Sequence, residues 1–376
     1  MKSSIFKIIL IIFIFSLELG SFRQENELNQ IIKRIKEKYA PDTRIAVFNI
    51  SYKITGNKLI LIGETDNLKA KQELISQIKL KTKRESIIDS ISILPDSSLI
   101  NYSSGIAIHD VNNLHSGPSE KAELVTQALM GTVVRLLKKK LNYYYVQMPD
   151  GYLGWINSNN ILICDKYKFS KWNTTPKLII TSLNSVIRTK PSEHSDSVCT
   201  AIMGCILQKS DSIYNDWIKV ELPDGRIGFL HDSTVMNLNE WKASRMLTAN
   251  NIEKTAKLFL GVPYLWGGTS IKGFDCSGFV KTVYFLNGKD IPRDSDQQAR
   301  LGKKIKCGKN FKNLKKGDLL FFKKNNGEKI GHVAIYIGNW IFIHCDKYVR
   351  FGSFDPKSEY FDKNLAKRFL FAKRLF

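Results

Sequence analysis

Apolar residues at helical and strand spacings organise the first quarter of the chain into a small mixed unit. The pattern predicts a helix, a hairpin, a second helix and a strand over residues 28–35, 45–62, 68–78 and 87–94. Apolar side chains recur on one face of the first helix, and Pro41 ends that run. The hairpin strands are β-branched and flank the turn Thr55-Gly56-Asn57. This unit contains no histidine or cysteine, which indicates a structural or binding role.

The middle of the chain contains an internal repeat of short β-rich segments. Pro118-Ser119-Glu120 recurs as Pro191-Ser192-Glu193, and the turn Pro149-Asp150-Gly151-Tyr152 recurs as Pro223-Asp224-Gly225-Arg226. The offset between the two copies is 73 residues at the first motif (118 to 191) and 74 at the second (149 to 223). Short strands separated by closely spaced turns predict a small β-barrel for each copy.

The last third of the chain combines helical patterns with apolar strands. Residues 237–249 form a predicted linker, residues 252–260 have helical spacing, and Gly261-Val262-Pro263 ends that helix. Residues 277–286 predict a helix that begins at Cys276. Three strands are predicted at 318–322, 332–337 and 340–344. The chain is therefore predicted to be α+β.

The first residues resemble an export signal. Lys2 and Lys7 precede an apolar run from Ile8 to Leu17, and the small residues Gly20 and Ser21 follow. This run is shorter than the roughly 20 apolar residues of a membrane span, which favours a cleaved secretory signal over residues 1–22. A single N-terminal membrane anchor is the alternative. We expect export to the periplasm or cell envelope and no integral membrane span after signal removal.

Charge and cysteine usage narrow the class of protein. A formal net charge of +22 would suit nucleic acid in a cytosolic protein. Export and the scattering of the basic residues favour a solvated basic face or attraction to an anionic envelope instead. Six cysteines at uneven spacing indicate neither a disulfide framework nor a zinc site. We expect no metal, no cofactor and no nucleic-acid partner, and a monomeric protein.

Three residues near the C-terminal end form a candidate catalytic set. Cys276 begins a helix, His332 begins an apolar strand, and His344 lies on the next strand. A hairpin turn at Gly338-Asn339 would bring the histidines together, giving a base and a residue that orients it. A helix start and a nearby imidazole would lower the pKa of the thiol. For Asp275 the simple alternative is a helix N-cap.

These residues belong to a set of motifs that resembles the NlpC/P60 family of papain-like cysteine peptidases, which cut peptidoglycan stem peptides. The resemblance spans about residues 250–376. The motifs are Tyr264-Leu-Trp266-Gly267-Gly268, Asp275-Cys276-Ser277-Gly278, Pro292-Arg293-Asp294-Ser295, Lys316-Gly317-Asp318-Leu319, Gly331-His332-Val333 and Ile343-His344. The resemblance implies Cys276 as nucleophile, His332 as base and acid, and His344 as the orienting residue. It also implies that the Tyr264 hydroxyl and the Cys276 backbone N–H stabilise the oxyanion.

The repeats resemble bacterial SH3-like domains, and a generic β-barrel spacer is the alternative for the second copy. With the signal and the peptidase motifs, they resemble the subgroup that cleaves γ-D-glutamyl bonds to a diamino acid. In that subgroup the first SH3-like domain borders the site and a free N-terminal L-alanine is required. The resemblance implies that these residues contact substrate: Ser277, Asp294 and Ser295, with Asp275 and Glu123 for the ammonium group and Tyr152 as an aromatic wall. The second copy has Asp196 and Arg226 in place of Glu123 and Tyr152.

Together these expectations describe an exported α+β protein with a papain-like peptidase domain. The predicted segments are a signal (1–22), a small α+β domain (23–100), two SH3-like β-barrels (103–165 and 175–237) and the NlpC/P60 domain (250–376). The expected activity is hydrolysis of γ-D-glutamyl to diamino acid bonds through a thioester. Two alternatives are a non-enzymatic cell-wall binding protein and an acyltransferase that uses the same thioester.

Overall fold

The computed structural model describes residues 25–82, 86–308, 311–325 and 327–376, with the backbone alone at 211–213. The predicted secretory signal at 1–22 lies outside the described residues. Within those ranges, no helix is both long enough and apolar enough to span a membrane. The chain divides into two compact units, one up to Ile100 and one from Asn101 to Phe376.

The first unit packs two helices on a three-stranded sheet. Its elements are α1 (25–39), β1 (Phe48–Thr55), β2 (Lys58–Thr65), α2 (Leu68–Lys81), β3 (Ser86–Ile93) and a 3-10 turn (Ser97–Leu99). β1 and β2 form an antiparallel hairpin, and β3 joins β2 in parallel after the α2 crossover. Leu28 and Ile35 of α1 pack with Leu59 and Leu61 of β2. The predicted helix, hairpin, helix and strand are thus confirmed.

The two sequence repeats fold into two seven-stranded antiparallel sheets. The first repeat contains β4 (Ser104–Ala107), β5 (Val111–His115), β6 (Leu124–Leu129), β7 (Val133–Lys140), β8 (Tyr143–Gln147), β9 (Leu153–Asn157), a 3-10 turn (Ser158–Asn160) and β10 (Ile161–Cys164). The second repeat contains β11 (Lys177–Ile180), β12 (Asn184–Arg188), β13 (Ser197–Ile202), β14 (Ile206–Tyr214), β15 (Trp217–Glu221), β16 (Ile227–His231), a 3-10 turn (Asp232–Thr234) and β17 (Val235–Asn237). The strand orders β10-β4-β7-β8-β9-β5-β6 and β17-β11-β14-β15-β16-β12-β13 match position by position. The internal repeat is therefore a repeated fold.

Short helices follow each repeat where the sequence predicted only connections. These are α3 (Lys166–Thr174) and α4 (Leu238–Ser244). Each begins at a side-chain cap, Asp165 or Asn237, and buries one tryptophan, Trp172 or Trp241. The predicted linker over 237–249 contains α4 in its first half, a helix that the sequence analysis did not predict. A helix of two turns leaves too few apolar positions for its periodicity to stand out in sequence.

The C-terminal part is a six-stranded antiparallel sheet with helices against it. Its elements are α5 (Ala249–Leu258), β18 (Thr269–Ser270), β19 (Gly273–Phe274), α6 (Cys276–Leu286), α7 (Ser295–Gln298), β20 (Lys303–Ile305), β21 (Leu319–Lys323), β22 (Ile330–Gly338), β23 (Ile341–Cys345), β24 (Val349–Ser353), α8 (Lys363–Arg368) and β25 (Phe369–Arg374). The strand order is β20-β25-β21-β22-β23-β24, and β18 and β19 form a separate small hairpin. The predicted α+β class is confirmed.

Alternating side chains of the six-stranded sheet separate two cores. Leu319 and Phe321 of β21 face α5 and α6, where Phe279 and Val283 of α6 are fully buried. Phe322 points to the opposite face and joins a second cluster with α8. This alternation follows from the period of two along a strand. Helix α6 is thereby fixed against the sheet with Cys276 at its first turn.

Candidate active site

Cys276 lies at the first residue of a capped helix, as the sequence predicts. The Asp275 side chain caps α6 by accepting a hydrogen bond from the Gly278 backbone N–H at 2.7 Å. Gly278 has no Cβ, and a Cβ built there would lie 2.0 Å from the Gly268 carbonyl oxygen. The loop of residues 261–268, called here the glycine loop, can therefore approach α6 this closely only because residue 278 is glycine. The Cys276 side chain remains partly exposed.

The environment of Cys276 favours the neutral thiol before substrate binds. Burial raises the pKa of the Cys276 thiol to about 12, and the Asp275 charge acts in the same direction. The Val333 backbone N–H, next to His332, donates to the sulfur and opposes that shift. The expectation of a lowered thiol pKa is wrong for this resting state, because burial outweighs the helix start. A thiolate must therefore be generated by proton transfer to a base.

His332 and His344 form a buried hydrogen-bonded pair. The predicted turn joins β22 to β23, with Ile335 opposite Ile343, and His332 Nε2 lies 3.0 Å from His344 Nδ1. The rings of Phe322 and Phe342 pack against the two imidazoles. Burial lowers the pKa of His332 to about 3 and that of His344 to about 4. Both rings are neutral at pH 7, and a neutral His332 can accept a proton.

Tyr264 lies in the glycine loop beside Cys276. The Tyr264 backbone N–H donates to the Lys347 carbonyl at 2.9 Å. The Tyr264 backbone also forms an isolated β-bridge with Phe274. Burial raises the pKa of its hydroxyl, and the proximity of Cys276 acts in the same direction. The hydroxyl therefore stays protonated and able to donate a hydrogen bond near the thiol.

Asp275 is half of a buried ion pair. Its carboxylate lies 2.5 Å from the Arg293 guanidinium, whose side chain is only 1% exposed. The same carboxylate accepts hydrogen bonds from Gly267 N, Ser277 Oγ and Gly278 N. Ser277 is buried and also accepts from Arg293 Nη1 at 3.1 Å. Asp275 and Ser277 are thus both engaged within the protein, with the Asp275 charge neutralised by Arg293.

Two residues of the first repeat contact the peptidase motifs directly. The Trp266 Nε1–H donates to Glu123 Oε1 at 2.7 Å, and the Tyr152 hydroxyl donates to Asp294 Oδ2 at 3.0 Å. Trp266 is 60% exposed and Glu123 is also exposed, so this contact is open to solvent. The structure therefore brings Glu123 to Trp266 of the Tyr264–Gly268 motif, and Tyr152 to Asp294 of the Pro292–Ser295 motif. Ser295, half-buried, is the first residue of α7 beside Asp294.

The first repeat is held against the glycine loop by further contacts. Gly267 has φ +77°, and a Cβ there would lie 2.3 Å from the Leu124 carbonyl oxygen. The buried Gln127 side chain accepts hydrogen bonds from Thr269 N at 2.9 Å and from Ser270 Oγ at 3.0 Å. Glycine at 267 therefore permits the close approach that sets Glu123 beside Trp266.

The turns of the two repeats have different partners. In the first repeat, Asp150 forms an ion pair with Lys281 of α6 at 2.9 Å. In the second repeat, the equivalent Asp224 pairs with its own neighbour Arg226 at 2.8 Å. The first copy is therefore the one whose Pro-Asp-Gly turn contacts the helix that carries Cys276.

Sequence reasoning did not assign roles to Arg293, Trp266 or Lys281. Arg293 and Trp266 lie inside motifs that the sequence analysis quotes, and their proximity to the quoted acids was the available signal. Lys281 carries no such signal, because a lysine on a helix surface is most often solvated. The contact between Lys281 and Asp150 depends on how the first repeat packs against α6, and these two parts are far apart in sequence.

Comparisons with known proteins agree with this arrangement. The NlpC/P60 family model matches residues 261–369, and the model of the bacterial dipeptidyl-peptidase SH3 domain matches residues 114–161. The gamma-D-glutamyl-L-lysine dipeptidyl-peptidase of Bacillus cereus is 31% identical over 237 residues, which cover 61% of this chain and 69% of that protein. Dipeptidyl-peptidase 6 of Lysinibacillus sphaericus is 30% identical over 270 residues, covering 69% of this chain and 95% of that protein.

A solved structure has a similar fold over most of the chain. The crystal structure of an NlpC/P60 family protein from Bacillus cereus superposes with a TM-score of 0.62 at 25% identity. The match covers 72% of this chain and 99% of the other. The chain belongs to the NlpC/P60 family of cysteine peptidases, with a bacterial dipeptidyl-peptidase SH3 domain ahead of the peptidase domain.

Proposed function

We propose that this protein hydrolyses the γ-D-glutamyl to diamino acid bond of peptidoglycan stem peptides whose N-terminal L-alanine is free. The contact of the first repeat with the peptidase motifs carries the proposal, because it sets the acid Glu123 against Trp266 and the aromatic Tyr152 against Asp294, the neighbour of Arg293, which pairs with Asp275. The name of the Bacillus cereus relative, a gamma-D-glutamyl-L-lysine dipeptidyl-peptidase, supports this bond as the target. We further expect action in the cell envelope.

The proposed chemistry is acyl transfer through a thioester. His332 accepts the Cys276 proton as the sulfur attacks the γ-carbonyl carbon of the D-glutamyl residue. The Cys276 backbone N–H, at the helix start, and the Tyr264 hydroxyl donate to the developing oxyanion. The C–N bond then breaks, and His332 returns the proton to the leaving amine of the diamino acid. A water molecule, deprotonated by His332, attacks the thioester and regenerates the thiol.

The free ammonium group of the substrate needs an anionic acceptor that is not already neutralised. Asp275 is paired with Arg293, and its oxygens accept several hydrogen bonds. Glu123 is exposed and uses Oε1 for Trp266, so Oε2 can accept from an ammonium group. We therefore assign the ammonium group to Glu123, and Asp275 to support of the loop. Asp294 lies 3.9 Å from Arg293 and takes part in the capping box of α7, so we assign it to local structure. Tyr152, which is 6% exposed, donates its hydroxyl to Asp294.

The test uses L-Ala-γ-D-Glu-L-Lys and its N-acetylated form, with products read by mass spectrometry. The native protein should release L-Ala-D-Glu and lysine from the free peptide and leave the acetylated peptide intact. Cys276→Ala should abolish turnover, and Cys307→Ala is the matched control because Cys307 packs with the Phe322 cluster on the other face of the sheet. Glu123→Gln should lower kcat/KM for the free peptide by about tenfold, the cost of one charge-assisted hydrogen bond.

Each outcome has a defined meaning. Equal cleavage of the free and acetylated peptides contradicts the proposed end selection. Full turnover by Cys276→Ala contradicts the thioester mechanism. A product whose mass contains an added amine or alcohol would instead identify an acyltransferase.

A further inference from the structure

The second ring nitrogen of His344 has no partner that explains its burial. Nδ1 faces His332, whereas Nε2 is buried and accepts or donates no hydrogen bond among the described residues. A neutral imidazole carries its proton on one of these two nitrogens. A buried donor without an acceptor costs about 1–3 kcal/mol, so the surroundings of Nε2 decide which tautomer is stable.

Two acids lie close to the His344 ring. One ring nitrogen of His344 and carboxylate oxygens of Asp346 and Asp362 all lie within 4.8 Å of one another. Asp346 lies directly after β23, two residues beyond His344. Because His332 already occupies Nδ1, Nε2 is the nitrogen that needs a partner. A distance of up to 4.8 Å between the imidazole nitrogen and a carboxylate oxygen is spanned by a small rotation of the His344 ring or by one bridging water molecule.

Arg350 argues against a metal ion at this cluster. Its guanidinium lies 2.7 Å from Asp346 and 2.9 Å from Asp362. The Arg350 guanidinium therefore already supplies a positive charge to both carboxylates, and a divalent cation would have to displace that guanidinium. The cluster is better suited to holding a neutral histidine than a metal.

Asp346 is the acid with the stronger effect on His344. Asp362 caps α8 through Oδ1, which accepts from Leu365 N at 2.8 Å, and gives Oδ2 to Arg350. Asp346 is fixed by Arg350 through two hydrogen bonds, at 2.9 Å and 2.7 Å. Burial lowers the pKa of His344, and the Asp346 charge is the main influence that opposes the shift.

We propose that Asp346, oriented by Arg350, is a positioning residue that holds His344 in the tautomer protonated at Nε2. In that tautomer Nδ1 has a lone pair and accepts the hydrogen bond from His332 Nε2–H. The His332 Nδ1 lone pair is then available to take the Cys276 proton. If the His344 proton moved to Nδ1, the pair could stay hydrogen-bonded only with the His332 proton on its own Nδ1, and His332 could then not take the Cys276 proton.

This inference rests on the proposed catalytic roles, but its first test needs no substrate. Long-range ¹H–¹⁵N NMR of the imidazole rings in the native protein identifies the protonated nitrogen of each histidine. We expect His344 to carry its proton on Nε2 at pH 7. A proton on His344 Nδ1 in the native protein would overturn the inference, whatever the protein cleaves.

The second test compares Asp346→Asn with Asp362→Asn, Asp346→Glu and the exposed control Asp290→Asn. Asp346→Asn should lower kcat by about tenfold, the order that loss of an outer partner of a functional histidine costs, with KM within about twofold. Asp346→Glu should restore most of kcat. Because Asp346 raises the pKa of both histidines, Asp346→Asn should also move the acid limb of kcat/KM to lower pH.

The remaining charges at the pair are Asp362, Arg350 and Arg368, and they are unchanged in Asp346→Asn. Unchanged kcat in a folded Asp346→Asn protein, or a larger loss in Asp362→Asn, would overturn the assignment to Asp346. If the native protein cleaves no γ-glutamyl peptide, the proposed function fails. The rate of Cys276 alkylation by iodoacetamide across pH then replaces kcat as the readout for the same variants.

Discussion

The buried pair of Arg293 and Asp275 permits a quantitative prediction. Replacing Arg293 with methionine leaves the Asp275 carboxylate buried without its counter-charge. The two side chains are 1% and 10% exposed, so solvent screens the pair very little. Breaking a buried pair by removing one partner costs about 3–5 kcal/mol, a large part of the 5–15 kcal/mol that stabilises a domain.

The assay follows opening of the core that surrounds α6. Cys345 is fully buried on β23 and becomes accessible to a thiol reagent only when this core opens. Pulsed alkylation of Cys345 at increasing urea concentration, read by peptide mass spectrometry, gives the unfolding midpoint. With a slope of about 1–3 kcal/mol per molar urea, Arg293→Met should lower that midpoint by about 1 M or more.

The matched control is Arg300→Met, which removes an exposed pair with Asp296 (65% and 41% exposed). Such pairs contribute about 0–1 kcal/mol, so its midpoint should stay close to that of the native protein. The double variant Asp275→Asn/Arg293→Met should cost less than the sum of the single variants, because both remove one shared interaction. A midpoint for Arg293→Met equal to that of Arg300→Met would refute this reasoning.

Three further predictions follow from other contacts. Because His332 and His344 have pKa values of about 3 and about 4 in the folded state, against 6.5 when unfolded, the unfolded chain binds protons that the native state excludes. The urea midpoint for alkylation of Cys345 should therefore fall as pH decreases below about 6.5. His344→Asn should make that midpoint less dependent on pH. An equal pH dependence in both proteins would contradict the lowered pKa values. Lys281→Met removes the contact with Asp150 and should raise KM for the free tripeptide while kcat is kept, whereas the exposed control Lys254→Met should change neither. Tyr152→Phe loses the hydrogen bond to Asp294 and should raise KM by about fivefold, the equivalent of about 1 kcal/mol, and an unchanged KM would exclude a role for that hydroxyl.

The sequence predicts those parts of the site that depend on local pattern. Cys276 was assigned to a helix start from its neighbours, and the structure has α6 beginning at that residue. The His332–His344 contact was expected from two short strands joined by a turn, and the two nitrogens lie 3.0 Å apart. Both inferences require only residues close together along the chain.

The parts that the sequence did not predict depend on tertiary packing. The pKa of Cys276 is controlled by how deeply the thiol is buried, which the start of a helix does not reveal. The neutralisation of Asp275 depends on Arg293, 18 residues later, folding back onto the helix start. In sequence, the choice of the first repeat as the neighbour of the site rests on Tyr152 and on the subgroup resemblance, because Glu123 and Asp196 are in register. The structure shows the contacts that distinguish the copies.

In the proposed function, the residues that select the substrate and the residues that react with it lie in different parts of the fold. In the second copy the Pro-Asp-Gly turn closes on itself through Arg226, and in the first it reaches Lys281 and Asp294. The thiol and the histidines lie on α6 and the C-terminal sheet, whereas these turn residues belong to another sheet. Selectivity can therefore diverge by substitutions in one turn while the reacting groups stay intact, and the second copy shows the same turn with these contacts inside its own repeat.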